Sequence, residues 1–200
     1  MILLSVLGNL TTIAVDLVKS YGSPMLAFLM FLESSSIPVP SEVILPLAGA
    51  LAARHILSFW IAYIAILIGS TLGLLLDYYI GFVVGKDVIY KHAKRLRISK
   101  ESIERFDRWF DRNAVAAVFL SRLLPVVRTI MSFPAGFAKM PLRRFLLYSV
   151  AGSAIWDLML MAFGLYAFST NNAVIWLSSI GALAIVLYVI YRVAIGRLRG

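Results

Sequence analysis

Two arginines set the chemical problem posed by this chain. Arg122 and Arg128 stand three residues either side of Pro125 in an otherwise apolar run that ends at Pro134-Ala-Gly136. A guanidinium at bilayer depth costs roughly 3 kcal/mol on insertion scales. Two in one short segment therefore require a carboxylate partner, a water-filled cavity or an anionic ligand. Proline lacks the amide hydrogen and its ring clashes with the preceding turn, so Pro125 divides the run into two half-helices with a charged tip between them. A counterpart of opposite sign lies far upstream in Glu33-Ser-Ser-Ser-Ile-Pro38-Val-Pro40-Ser-Glu42, which continues to Pro46-Leu-Ala-Gly49. The acidic tip and the basic tip read as two poles of one site. The planar guanidinium fork suits phosphate oxygens, so Arg122, Arg128, Glu33 and Glu42 are the candidate substrate-binding residues. Carboxylates inside a membrane mark ion and proton pathways. On that ground Glu33, Glu42, Asp77 and Asp157 are candidates to couple transport to protons.

Composition decides the solvent in which these groups sit. The 200 residues are 61% hydrophobic and 14% charged, with a mean hydropathy of +0.89, which is too apolar for a soluble globule. The chain reads as one all-α, polytopic domain of the cell membrane. Its net charge of +9 invites a nucleic-acid partner, but the basic residues fall between apolar spans, the pattern of the positive-inside rule. Nucleic acid is excluded on that ground. There is no cysteine, and His55 and His92 lie near segment ends, so neither a metal site nor a hydrolytic one is well supplied. No cofactor is expected. No basic residue precedes the first apolar stretch, so a cleaved signal is not expected.

The elements that must position the charges follow in order. Residues 1–20 carry an apolar stripe and suit an amphipathic interfacial helix. Residues 24–53 form two arms broken at Pro38 and Pro40. Each arm is about 20 Å long, too short to cross a core of roughly 30 Å, so the segment reads as a re-entrant hairpin. Residues 59–85 are long enough to span. Within that span Gly69, Gly73, Asp77, Gly81 and Gly85 recur at every fourth position, a stripe along which another backbone can approach closely.

Residues 86–112 hold nine of the nineteen Lys and Arg and read as a cytoplasmic loop, in which Ser99 could cap an interfacial helix. Positive clusters flank 114–137 on both sides, so both its ends are expected at the inner face, which makes it the second re-entrant hairpin. Residues 145–168, with Asp157 near the midpoint, and 174–195 then span, giving three or four transmembrane helices in all. The acidic hairpin opens outward and the basic one inward, the inverted arrangement that transporters use to build a site near the midplane.

These motifs, taken together, resemble the DedA family, whose shared region is also called the VTT or SNARE-associated domain. The resemblance rests on Glu33…Pro38-Val-Pro40-Ser-Glu42…Ala48-Gly49, on Gly73…Asp77-Tyr-Tyr-Ile-Gly81…Gly85, on Phe119-Leu-Ser-Arg122…Pro125…Arg128…Pro134-Ala-Gly136, and on Trp156. It implies a helical fold with two opposed re-entrant hairpins and a role in moving lipids between leaflets, such as recycling of undecaprenyl phosphate or scrambling of phospholipids. It also implies essential roles for Glu33, Arg122 and Arg128, and it assigns none to Asp157.

The expected function is therefore a translocase, not an enzyme, for lipids with phosphate headgroups. Protons and a second copy of the chain stay open as partners. A proton-coupled transporter or antiporter of a small solute or ion is the alternative. A membrane phosphatase would need a nucleophile beside the arginines. A purely structural role would leave the charges to neutralise one another.

Overall fold

The structure is a computed structural model that describes residues 16–37, 39–92, 100–124 and 127–169. Most of the expected N-terminal helix, Pro38, Ser99, Pro125 and the expected span 174–195 lie outside the described residues. Residues 16–21 are helical, and seven further helices follow: α1 (Ser23–Ser34), α2 (Ser41–Ala53), α3 (Phe59–His92), α4 (Lys100–Ser121), α5 (Val127–Ile130), α6 (Ser132–Phe137) and α7 (Leu142–Ser169). There is no strand among the described residues. Two stretches are long and apolar enough to cross a membrane, Phe59–Gly85 and Leu142–Ala167. At 1.5 Å per residue each is about 40 Å long, whereas α1 and α2 reach only about 20 Å.

Local sequence explains where the elements begin and end. Helix α1 starts just after Gly22 (φ 65°) with Pro24 in its first turn, where the missing amide hydrogen costs nothing. It closes with the Ser35 amide donating to the Phe31 carbonyl, and Ser36 then turns into the left-handed region (φ 60°). Pro40 precedes α2 as its N-cap. Gly85 departs from the stripe to which its spacing assigned it. Its φ of 64° interrupts α3, and a Cβ placed there would meet no atom within 4 Å. It serves as a backbone break, a conformation that glycine adopts without steric cost. Helical residues lie beyond it to His92, and α4 runs unbroken from Lys100 to Ser121. The boundary drawn near residue 113 between loop and hairpin thus falls inside a helix.

The short helices divide themselves between the two long ones. Helices α1 and α6 pack on α3, while α2 and α4 pack on α7; α1 and α2, although consecutive, touch each other little. Glycines set these approaches. A Cβ on Gly69 would collide with the Ala27 carbonyl of α1, one on Gly73 with that of Phe31, and one on Gly81 with that of Phe133 on α6. Gly136 answers from α6 against Tyr78, Gly49 of α2 lies on the Met161 carbonyl, and Gly164 of α7 lies on that of Pro46. Pro134 sits within α6. Two tyrosines tie the groups together: Tyr63 Oη donates to the Ala154 carbonyl at 2.9 Å and Tyr78 Oη to that of Met140 at 2.5 Å.

Such contacts leave no room for a side chain, because close-packed helices must shift bodily to admit one. Gly69→Leu is expected to separate α1 from α3 and to destabilise by about 3 kcal/mol or more. The expected readout is a fall in the melting temperature of the detergent-solubilised protein, and an unchanged one would remove the stripe's packing role.

Candidate functional site

Each long helix carries one aspartate where its two shorter partners meet. On α3, Asp77 lies between Gly73, which abuts α1, and Gly81, which abuts α6. On α7, Asp157 lies between Gly152, which abuts the end of α4, and Gly164, which abuts α2. Both aspartates are 1% exposed. The described residues of the two broken segments, 35–37 with 39–40 and 122–124 with 127–131, meet beside them.

Glu33, the penultimate residue of α1, is 4% exposed and meets Arg128 of α5, which is 6% exposed. Arg128 Nε donates to Glu33 Oε1 at 2.9 Å and Nη2 reaches the same oxygen at 2.7 Å. Ser41 Oγ donates to that oxygen at 3.4 Å and Ser34 Oγ to Oε2 at 3.0 Å. The remaining nitrogen of the fork, Nη1, lies 3.8 Å from Asp157 Oδ1. Arg128 is therefore shared between a carboxylate it grips and one it only approaches. Neither oxygen of Asp157 accepts a hydrogen bond, and the adjacent Trp156 Nε1 donates none, among the described residues.

Arg122 is buried beside this pair, at 1% exposed, and is held differently. Its Nη1 donates to the Arg128 carbonyl, and its Nη2 donates to Ser132 Oγ at 3.0 Å and Ser149 Oγ at 3.2 Å. Its guanidinium carbon stands 5.8 Å from the centre of the Phe145 ring. No carboxylate lies within ion-pair distance of it among the described residues. Neutral oxygens thus position this cation, which leaves its charge uncancelled at contact range. Asp77 accepts a hydrogen bond from Ser36 Oγ at 2.6 Å, and Ser36 Oγ also reaches the Thr129 carbonyl at 3.4 Å, so one hydroxyl joins the acidic tip to the basic one.

The structure therefore brings Glu33, Arg128 and Asp157 into one cluster, with Arg122 and Asp77 around it. Glu42 stands apart. It is half-buried in the first turn of α2 and makes no ion pair among the described residues, a position where a carboxylate complements the helix dipole.

The residues that sequence reasoning missed are the serines that complete the shell: Ser34, Ser36, Ser41 and Ser132. Their signal was present in the Ser-Ser-Ser run behind Glu33 and in single hydroxyls on apolar helices. A buried guanidinium has five donors to satisfy and only carbonyls, hydroxyls and carboxylates to do it with.

Known proteins match this chain over most of its length. The VTT domain matches residues 39–166. A protein of Lactococcus lactis subsp. lactis (strain IL1403) named "Alkaline phosphatase-like protein" is 34% identical over 157 residues, covering 76% of this chain and 73% of its own. "Undecaprenyl phosphate transporter A" of Staphylococcus aureus (strain NCTC 8325 / PS 47) is 31% identical over 156 residues, covering 76% and 77%. "Protein DedA" of Escherichia coli (strain K12) is 27% identical over 163 residues, covering 78% and 74%. No solved structure matches the chain. With the VTT domain extending over most of its length and both arginine and acid tips inside or beside it, the chain belongs to the DedA family of membrane proteins, the family of the VTT domain.

Proposed function

We propose that the protein is a multi-pass translocase of the cell membrane that moves lipids with phosphate headgroups between leaflets. Polyprenyl phosphates such as undecaprenyl phosphate and phospholipids are its substrate class. The observation that carries this reading is Arg128, buried and gripped by Glu33 yet 3.8 Å from a second carboxylate. A phosphate entering between the tips competes with Glu33 for that fork and finds Arg122 beside it, which has no carboxylate in ion-pair contact among the described residues. Three buried acids face two arginines here, so an added anion is tolerated best when a carboxylate takes up a proton, which is the proposed coupling. The name of the Staphylococcus aureus relative supports the substrate class.

The tips meet near the midplane in this reading because α1–α2 and the segment from the end of α4 to α6 enter and leave on one side each, as re-entrant hairpins. The chain is free of cysteine, so single cysteines test this directly. Ser58→Cys, ahead of α3, and Arg143→Cys, at the start of α7, are expected to react with impermeant thiol reagents from opposite sides of the membrane. Labelling from the same side would remove the second hairpin.

One observation favours the alternative, a proton-coupled transporter or antiporter of a small solute or ion. Asp157 is a buried carboxylate whose oxygens accept no hydrogen bond among the described residues, a suitable resting place for a proton or small cation. Hydrolysis, which the name of the Lactococcus lactis relative raises, is less well served. Ser132 and Ser149 hold the Arg122 guanidinium itself, and His55 stands in the exposed turn after α2, at the far end of that helix from Glu33. The deciding experiment is leaflet-resolved translocation of a phosphate-headed lipid by purified protein in liposomes. Cation flux without lipid movement would establish the alternative instead.

A further inference from the structure

Two hollows lie end to end where α4 runs past the start of α7. The first, of about 490 Å³, is bounded by Phe110 and Arg112 on α4 and by Lys139, Met140 and Arg144 ahead of and at the start of α7. The second, of about 480 Å³, is bounded by Phe119 on α4 and by Leu147, Tyr148 and Ala151 on α7. Val115 and Ala116 line both, so the two are successive stretches of one groove. As the chain advances from Arg112 to Phe119 on one wall, it advances from Arg144 to Ala151 on the other. The helices are therefore parallel here, and each wall runs two turns, about 10 Å.

The groove changes character along that length. Arg112, Lys139 and Arg144 are exposed at its mouth, and none forms an ion pair among the described residues. Lys139 lies 5.9 Å from the Phe82 ring and has a φ of 52°. That residue closes α6 with its own amide on the Gly136 carbonyl, a left-handed position where glycine is favoured. Beyond Val115 the lining is apolar. The groove ends one turn short of Arg122, whose stem lies against Gly152. Charges needed only to orient a chain in a membrane require no hollow behind them, and an apolar hollow on a membrane-facing wall is filled by hydrocarbon. The exposed apolar stretch and the cationic mouth are complemented together by an amphiphile with an anionic head.

We infer that this groove is a docking site for one phosphate-headed lipid, separate from the Glu33–Arg128 cluster. Arg112, Lys139 and Arg144 hold the headgroup, and Phe119, Leu147, Tyr148 and Ala151 take a hydrocarbon chain. Its place in transport rests on the translocase reading, as a station on the basic side from which a lipid reaches Arg122. Its occupancy does not rest on that reading.

The test uses the full chain in neutral detergent with phosphatidic acid that carries a diazirine in its acyl chain. Photolysis and peptide mass spectrometry are expected to place the label on the Leu147–Ala151 stretch. Unlabelled phosphatidic acid should compete at least tenfold better than phosphatidylcholine. The variant R112Q/K139Q/R144Q, altered only at exposed side chains, is expected to lose that preference, and A151W to lose labelling of the stretch. Arg128→Lys should keep both, so that failure of the groove and failure of translocation are read separately. Labelling that survives the triple substitution, or equal competition by phosphatidylcholine, would overturn the site. Competition by soluble glycerol phosphate as strong as by the lipid would also overturn it, in favour of a site for a soluble anion.

Discussion

Replacement of Arg128 by methionine is expected to destabilise the detergent-solubilised protein by about 3–5 kcal/mol and to abolish lipid translocation, because breaking a buried ion pair leaves an uncompensated charge. Glu33 would keep only the Ser34 and Ser41 hydroxyls, and Asp157 would have no cation within reach. The effect is distinguishable from simple loss of packing by adding Glu33→Gln, which removes one of the two stranded carboxylates. The double variant should regain more than about 1 kcal/mol over the sum of the single effects, since contacting residues are not additive. Unfolding by heat or denaturant in one detergent measures all four corners of the cycle. Additive losses would mean that the pair is not energetically coupled, and the cluster would then be no more than neighbours.

Arg122→Lys is the second large effect, and it separates function from stability. Lysine retains the charge and most of the stem, so insertion and folding should survive with a loss of about 1–3 kcal/mol from unmade hydrogen bonds. Its three donors radiate from one point, however, and cannot reproduce a planar fork that reaches the Arg128 carbonyl on one side and Ser132 and Ser149 on the other. We expect translocation of a phosphate-headed lipid in liposomes to fall more than tenfold. A soluble headgroup analogue should raise the melting temperature of the native protein and not that of the variant. Near-native translocation by Arg122→Lys would show that charge alone suffices there and would defeat bidentate recognition.

Much of this arrangement was legible from spacing. The length and apolarity of Phe59–Gly85 required a long apolar helix, and glycines four residues apart required a neighbour at close range. The opposed charges of two proline-broken segments pointed toward the contact between Glu33 and Arg128. What spacing did not carry was the division of labour. Arg122 and Arg128 look equivalent about Pro125, yet one meets a carboxylate and the other meets hydroxyls and a carbonyl. That difference depends on which helix each tip faces, a tertiary fact. Gly85 misled for a related reason: a period of four says which face a residue shares, not whether a partner is still present at that depth. Asp157 carried no family signal, and its nearness to Arg128 is likewise a tertiary fact.

The way the short helices are shared out has a mechanical meaning. One body consists of α1, α3 and α6, the other of α2, α4 and α7, so the consecutive helices α1 and α2 fall in different bodies. Inside a body, glycine brings backbone against backbone, a joint with little tolerance for slip. Across the plane between bodies the ties are of two kinds: an apolar core joins Met30 and Ile66 to Leu45 and Trp156, and at the centre lie polar ties, Glu33 to Arg128 to Asp157, Ser41 to Glu33, and Arg122 to Ser132. Shear of one body over the other strains both kinds of tie, but only the polar ones can be remade by an incoming anion or proton. Whatever chemistry alters those charges therefore also sets how firmly the two halves are latched at their centre.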